Sequence, residues 1–223
     1  MLRSALTSLT IAALLASPAS AGCYEDAMLV LDASGSMAAA DIPITGPTRL
    51  DHAKSALAKV LPDLPEARRM GLMTYGAGQE TSCDTVRLRV APMPQSQGSI
   101  LAEIGRLSPS GGTPLADAVR SAAEVLEHRV NPVTLVVLTD GEDTCGGAVC
   151  HLAETLRAEG RDTIVHVIGF RILESRHGVP QASISPGCLA AETGGYDLRV
   201  DTAEELTEAL SRTLSCPLIA SLE

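Results

Sequence analysis

A chain of 223 residues that is 45% hydrophobic and 20% charged carries enough apolar side chains for a folded core, which excludes a disordered polar tract. Its formal charge of −10 argues against nucleic acid or an anionic membrane surface as partner. The length suits one domain or two small ones, and no stretch approaches the roughly 18 apolar residues of a membrane-spanning helix.

The first 21 residues read as a secretory signal: Arg3 is the positive start, residues 9–16 the apolar core, and Ala19-Ser20-Ala21 fits a small-residue cleavage site. The expected mature chain, 22–223, is exported to the periplasm or secreted, with a charge of −11 once Arg3 is lost. A lipid anchor on Cys23 is disfavoured, because Ser20 stands where such signals usually carry a larger aliphatic residue. The six cysteines are an even number, as expected of disulfides in an oxidising compartment. Short spacing favours Cys145 with Cys150, and Cys23 with Cys216 would staple the two ends, which leaves Cys83 with Cys188. A zinc site is disfavoured by the absence of any C-x2-C pair or close Cys/His cluster.

Strand-like and helix-like segments then alternate. Residues 27–31 form an apolar strand, and 49–61 a helix with Leu50, Ala53, Leu57 and Val60 or Leu61 on one face, ended by Pro62 and Pro65. Residues 70–75 and 85–90 read as two strands joined closely enough for a hairpin, making the second an antiparallel edge. Pro92 and Pro94 mark a loop, and 98–107 a short helix. Thr113 as cap and Pro114 as first helical residue open a helix to about His128. The almost wholly apolar 133–138 is expected to be a central strand buried on both faces. A helix at 148–159, a strand at 163–168, a Gly/Pro/Ser-rich loop at 171–187, a helical piece at 189–192, a strand at 196–200 and a helix at 203–214 complete the series. The alternation predicts one doubly wound α/β domain (core 27–214), its mostly parallel sheet covered by helices on both faces and carrying one antiparallel edge strand. Ligands bind such sheets beyond the carboxyl ends of the strands.

Three segments should meet at that edge. Asp32, Ser34 and Ser36 follow the first strand, Asp140 follows the central strand at Thr139-Asp140-Gly141, and Gly111-Gly112-Thr113-Pro114 leads into a helix. Two carboxylates and three hydroxyls are hard oxygen ligands, suited to Mg²⁺ and its octahedral preference.

The segments D-A-S-G-S, G-G-T-P and T-D-G resemble the metal-ion-dependent adhesion site of von Willebrand factor type A domains, over about residues 27–214. The resemblance implies five metal ligands, Asp32, Ser34, Ser36, Thr113 and Asp140, with Mg²⁺ (or Mn²⁺ or Ca²⁺) bound. It further implies a protein or peptide partner whose Asp or Glu carboxylate completes the coordination, and binding rather than turnover. Two carboxylates against a dication leave a near-neutral centre, electrophilic enough to accept a further carboxylate. The alternatives are a metal-stabilised structural domain with no ligand at the metal, or a Mg²⁺-dependent hydrolase or phosphotransferase. An aspartyl phosphotransferase would need a carboxylate where Ser34 stands, and no G-x-S-x-G elbow is present.

Glu142 and Asp143 read as a solvated acidic loop beside Asp140. His52, His128, His151, His166 and His177 show no ligand spacing and read as structural. Gly76-Ala77-Gly78 lacks the third glycine of a dinucleotide fingerprint, Thr81 standing in its place. The loop 171–187 is a candidate for ligand contact and specificity.

Overall fold

Strand β1 (Asp26–Asp32) is the axis of the molecule. It pairs in parallel with β2 (Met70–Tyr75) on one side and β4 (Pro132–Thr139) on the other. The computed structural model describes residues 25–40, 45–77, 82–171 and 185–215. The signal segment, Cys23, Cys216, His177 and most of the loop 171–187 lie outside the described residues.

Six strands form one sheet in the order β3-β2-β1-β4-β5-β6, where β3 is Arg87–Met93, β5 Asp162–Phe170 and β6 Asp197–Val200. All neighbours are parallel except β2 and β3, the expected antiparallel edge. Pro92, read as loop, lies inside β3; an edge strand tolerates a residue without an N–H. The helices are α1 (Arg49–Val60), α2 (Gln97–Gly105), α3 (Leu115–Val125), α4 (Val149–Glu159), α5 (Gly187–Thr193) and α6 (Ala203–Leu214). Thr48 and Thr202 open α1 and α6 with reciprocal capping boxes to Asp51 and Glu205. Among the described residues no helix is long and apolar enough to cross a membrane.

The period of two along β1 divides its side chains between two cores. Ala27, Leu29 and Leu31 pack with residues of α1, α2 and α6, while Met28 and Val30 pack with residues of α3, α4 and α5. The strand is therefore apolar on both faces, as a central parallel strand must be. Each fully buried Leu or Val contributes about 2 kcal/mol, and nearly all the side chains of β1, β2 and β4 are buried.

The thiol pairing differs from the expectation. Cys83 bonds Cys145 and Cys150 bonds Cys188, with Cα–Cα separations of 5.8 and 5.0 Å. Short spacing misled for Cys145 with Cys150, and the pairing of Cys83 with Cys188, expected only as the remainder, falls with it. Cys145 sits in the loop after β4, facing the loop that leads into β3, whereas Cys150 lies in the first turn of α4, which packs on α5. The Cys23–Cys216 expectation falls outside the described residues.

One glycine fixes how the loops at the sheet edge converge. Gly76, just past β2, has φ +83°, and a Cβ there would collide with the backbone of Ala33 and Ser34. Its carbonyl accepts from the Gly111 N–H, so it sits between two of the segments that should form the site. Gly76→Ala combines left-handed strain with a backbone clash and should destabilise the protein by about 3 kcal/mol or more. Urea denaturation of wild type and variant measures this; an unchanged midpoint would remove the constraint.

Candidate metal centre

The register of β1 against β4 runs Leu31 opposite Leu138, which brings Asp32 level with Thr139. On the other side Asp32 is paired with Tyr75. Alternation turns Asp32, Tyr75 and Thr139 to the same face of the sheet. Thr139 Oγ1 donates to Asp32 Oδ2 at 2.7 Å, and the Ser34 N–H donates to Asp32 Oδ1 at 2.7 Å. From there the hydroxyls continue the line: Ser34 Oγ lies 3.0 Å from Ser36 Oγ, and Ser36 Oγ donates to Asp140 Oδ1 at 2.6 Å. Four of the five expected ligands thus form one hydrogen-bonded series, joining the end of β1 to the residue after β4.

Thr113 reaches the same edge by another route. The Gly35 N–H donates to Gly111 O at 2.9 Å, and Ser34 and Gly111 form a short parallel bridge. The Thr113 N–H donates to Thr144 Oγ1 at 2.9 Å, while the Thr144 N–H donates back to Thr113 O at 3.1 Å. The Thr113 hydroxyl joins none of these bonds. It also does not cap α3, contrary to expectation: Pro114 occupies the cap position and Leu115 is the first helical residue. The cap comes from 27 residues away, where Asp143 Oδ2 accepts from the Ala116 N–H at 2.9 Å. Asp143 Oδ1 accepts from the N–H groups of Cys145 and Gly147 at 2.8 and 2.9 Å. Asp143 is therefore a buried brace of the Asp140 loop rather than a solvated acid, which corrects the sequence reading. The Cys83–Cys145 bond lies against Gly112, where a Cβ would stand 3.1 Å from Cys145 Sγ.

The charge at the site differs from a simple two-carboxylate count. Arg49 Nη1, from the first turn of α1, lies 2.8 Å from Asp140 Oδ2; the Asp140 side chain is fully buried and that of Arg49 is 12% exposed. Thr139, Tyr75, Arg49 and Asp143 were all absent from the expected set. Thr139 was within reach, being adjacent to Asp140 at the strand end. Nothing in the local sequence signals that Asp143 caps α3, 27 residues upstream. Among the described residues, no group of three or more His, Cys, Asp or Glu side chains gathers around one point; the expected set holds only two such residues, with hydroxyls for the rest.

Burial, reinforced by the negative charge of Asp140, pushes the Asp32 carboxyl up to about 6, against the opposing hydrogen bonds from Ser34 and Thr139. The Tyr75 phenol, buried beside it, is held well above its ordinary range by burial and by the Asp32 charge. The unfolded chain releases the Asp32 proton near 3.8, below the folded value, so rising pH favours the unfolded state between about 4 and 6. In chelator, wild type should lose about 2 kcal/mol relative to Asp32→Asn between pH 4 and pH 7. Parallel urea titrations measure the difference, and a constant offset across this range would contradict it.

Residues 27–142 match the family model of the von Willebrand factor type A domain. The uncharacterized protein YwmC of Bacillus subtilis (strain 168) is 31% identical over 160 residues, 67% of this chain and 68% of the relative. A variant of the PilB minor pilin of Streptococcus sanguinis is similar in fold, with a TM-score of 0.66 at 16% identity over 89% of this chain and 62% of that one. Proximal thread matrix protein 1 of the mussel byssus, in a structure with a zinc-occupied MIDAS motif, gives a TM-score of 0.61 at 18% identity over 85% of this chain and 44% of that one. The match to the family model spans more than half of the sequence, and the chain belongs to the von Willebrand factor type A domain family.

Proposed function

We propose that this domain binds a protein or peptide partner through a divalent cation held by Asp32, Ser34, Ser36, Thr113 and Asp140. The observation that carries this reading is the continuous series Asp32–Ser34–Ser36–Asp140, in which oxygens from two strand ends already lie within hydrogen-bond distance of one another. The donor set fits a hard dication: carboxylates and hydroxyls, with a buried carboxylate whose ionised form is only partly compensated by the hydrogen bonds from Ser34 and Thr139. When bound, such an ion supplies a Lewis-acidic position open to a carboxylate oxygen from outside. Thr139 holds Asp32 in place, and the hydroxyl of Thr113, uncommitted to α3, is left for a ligand's role. Mg²⁺ is our first choice, with Mn²⁺ or Ca²⁺ able to use the same oxygens. A zinc-occupied motif of this name in a mussel byssus protein supports divalent-ion binding in the fold, and the likeness to a minor pilin supports a protein-binding rather than a catalytic role.

We further propose that the chain acts outside the reducing cytosol, in the periplasm or after secretion. Arg3, the apolar run 9–16 and Ala19-Ser20-Ala21 support export, and the two disulfides suit an oxidising compartment.

The test is direct. Calorimetric titration of the purified protein with Mn²⁺ should detect one site, and Asp32→Ala should weaken it about a hundredfold or more while the far-ultraviolet circular dichroism is retained. The same protein, immobilised, should retain a partner from an extract of exported proteins in Mg²⁺ but not in EDTA, and not as Asp32→Ala. Capture indifferent to chelator and substitution would put recognition elsewhere on the domain. Mn²⁺ binding without Mg²⁺-dependent capture would favour a structural metal with no ligand.

A further inference from the structure

We infer that Arg49 is an internal counter-cation of the metal centre, which holds Asp140 when no metal is bound and lowers the affinity of the site for a divalent ion. The inference rests on the metal-site reading above and adds to it a residue outside the five ligands.

Three observations carry it. First, both carboxylate oxygens of Asp140 are taken by protein donors: Ser36 Oγ at Oδ1 and Arg49 Nη1 at Oδ2, at 2.6 and 2.8 Å. Second, the pair is withdrawn from water, the Asp140 side chain being 0% and the Arg49 side chain 12% exposed, so solvent screens the guanidinium weakly. Third, the rest of Arg49 is not engaged to the same degree. Among the described residues, its buried Nε has no hydrogen-bond partner and its one ion pair is with Asp140. Arg49 has been brought to this carboxylate by the fold rather than by a network of its own.

The position in the helix points the same way. Arg49 is the first residue of α1, where the exposed N–H groups and the helix dipole disfavour a positive charge. The Arg49 N–H donates to Ala39 O at 3.0 Å, which ties the helix start to the short 3₁₀ turn (Gly35–Ala38) containing Ser36. The guanidinium and the serine hydroxyl are thus delivered to Asp140 by adjoining pieces of chain.

The electrostatic consequence has a definite sign. Two carboxylates with one guanidinium leave a single negative charge in the metal-free centre. A dication entering that centre meets a like charge beside Asp140, and the loaded site is left with one positive charge. Arg49 therefore works against the metal and in favour of an anionic group arriving after it.

Mn²⁺ titration by calorimetry, run on wild type, Arg49→Met and Arg49→Gln, tests this, with urea denaturation of each protein in EDTA. Arg49→Gln is the key variant, since its amide can still donate to Asp140 while the charge is gone. The expected result is Mn²⁺ affinity raised about tenfold in both variants, together with a lower denaturation midpoint in EDTA. Affinity that is unchanged or weaker in folded Arg49→Gln would overturn the inference, leaving Arg49 as a positioning residue for Asp140. Mn²⁺ binding by Arg49→Gln but not by wild type would support it in its strongest form. Absence of binding in all three proteins would instead remove the metal reading, and this inference with it.

Discussion

Two carboxylates at the ends of adjacent parallel strands form a local concentration of negative charge that the surrounding structure has to offset. The pairing of β1 with β4 makes the arrangement unavoidable, since the register that buries Met28, Val30, Leu135 and Val137 on one face also brings Asp32 to Thr139 and next to Asp140. The offsets are small and local. A backbone N–H and a threonine hydroxyl serve Asp32, and a serine hydroxyl and a guanidinium serve Asp140. They do not complete the task at Asp32, whose carboxyl remains pushed up to about 6. A residual cost of this kind, kept at the carboxyl edge of a rigid sheet, is what a cation-binding site needs before its cation arrives.

Around these residues the edge loops are held by backbone rather than by side-chain packing. Gly76 lets the chain after β2 run against Ser34 and accept from Gly111, and the 110–112 segment bonds in turn to Ala33, Gly35 and Ser82. Asp143 performs a similar service for the loop after β4, gathering three N–H groups and starting α3. The proposed ligand residues, from three separate parts of the chain, are thereby supported by hydrogen bonds that do not involve their own side chains. Such support preorganises a site at little cost to its chemistry.

The architecture was legible in the sequence for a physical reason. The strands at 27–31 and 133–138 are buried on both faces and so read as apolar runs, the second interrupted only by Thr134, while α1 and α6 carry apolar periodicity and capping residues that act within four positions. The first-rank candidates were legible as well: Asp32, Ser34, Ser36 and Asp140 sit in short motifs directly after strands, and the structure brings them together. Contacts over long sequence separations were not legible. Cys83 and Cys145 are 62 residues apart, Asp143 caps a helix 27 residues upstream, and Arg49 meets Asp140 across 91. Thr113 misread as a cap is the same limitation, because Asp143 supplies the cap from outside the local pattern. Arg49 did leave one trace, a basic residue in a first helical turn, where the dipole gives no reason for it.

The Cys83–Cys145 bond has a consequence for how the edge is braced. It joins the loop before β3 to the loop after β4, across Gly112, and so closes a circuit through the segments on either side of Thr113. The strands need no oxidant to pair, but this closure does. The strand hydrogen bonds do not depend on this bond, so the thiol state of the pair bears on the covalent bracing of the edge loops rather than on the pairing of the sheet.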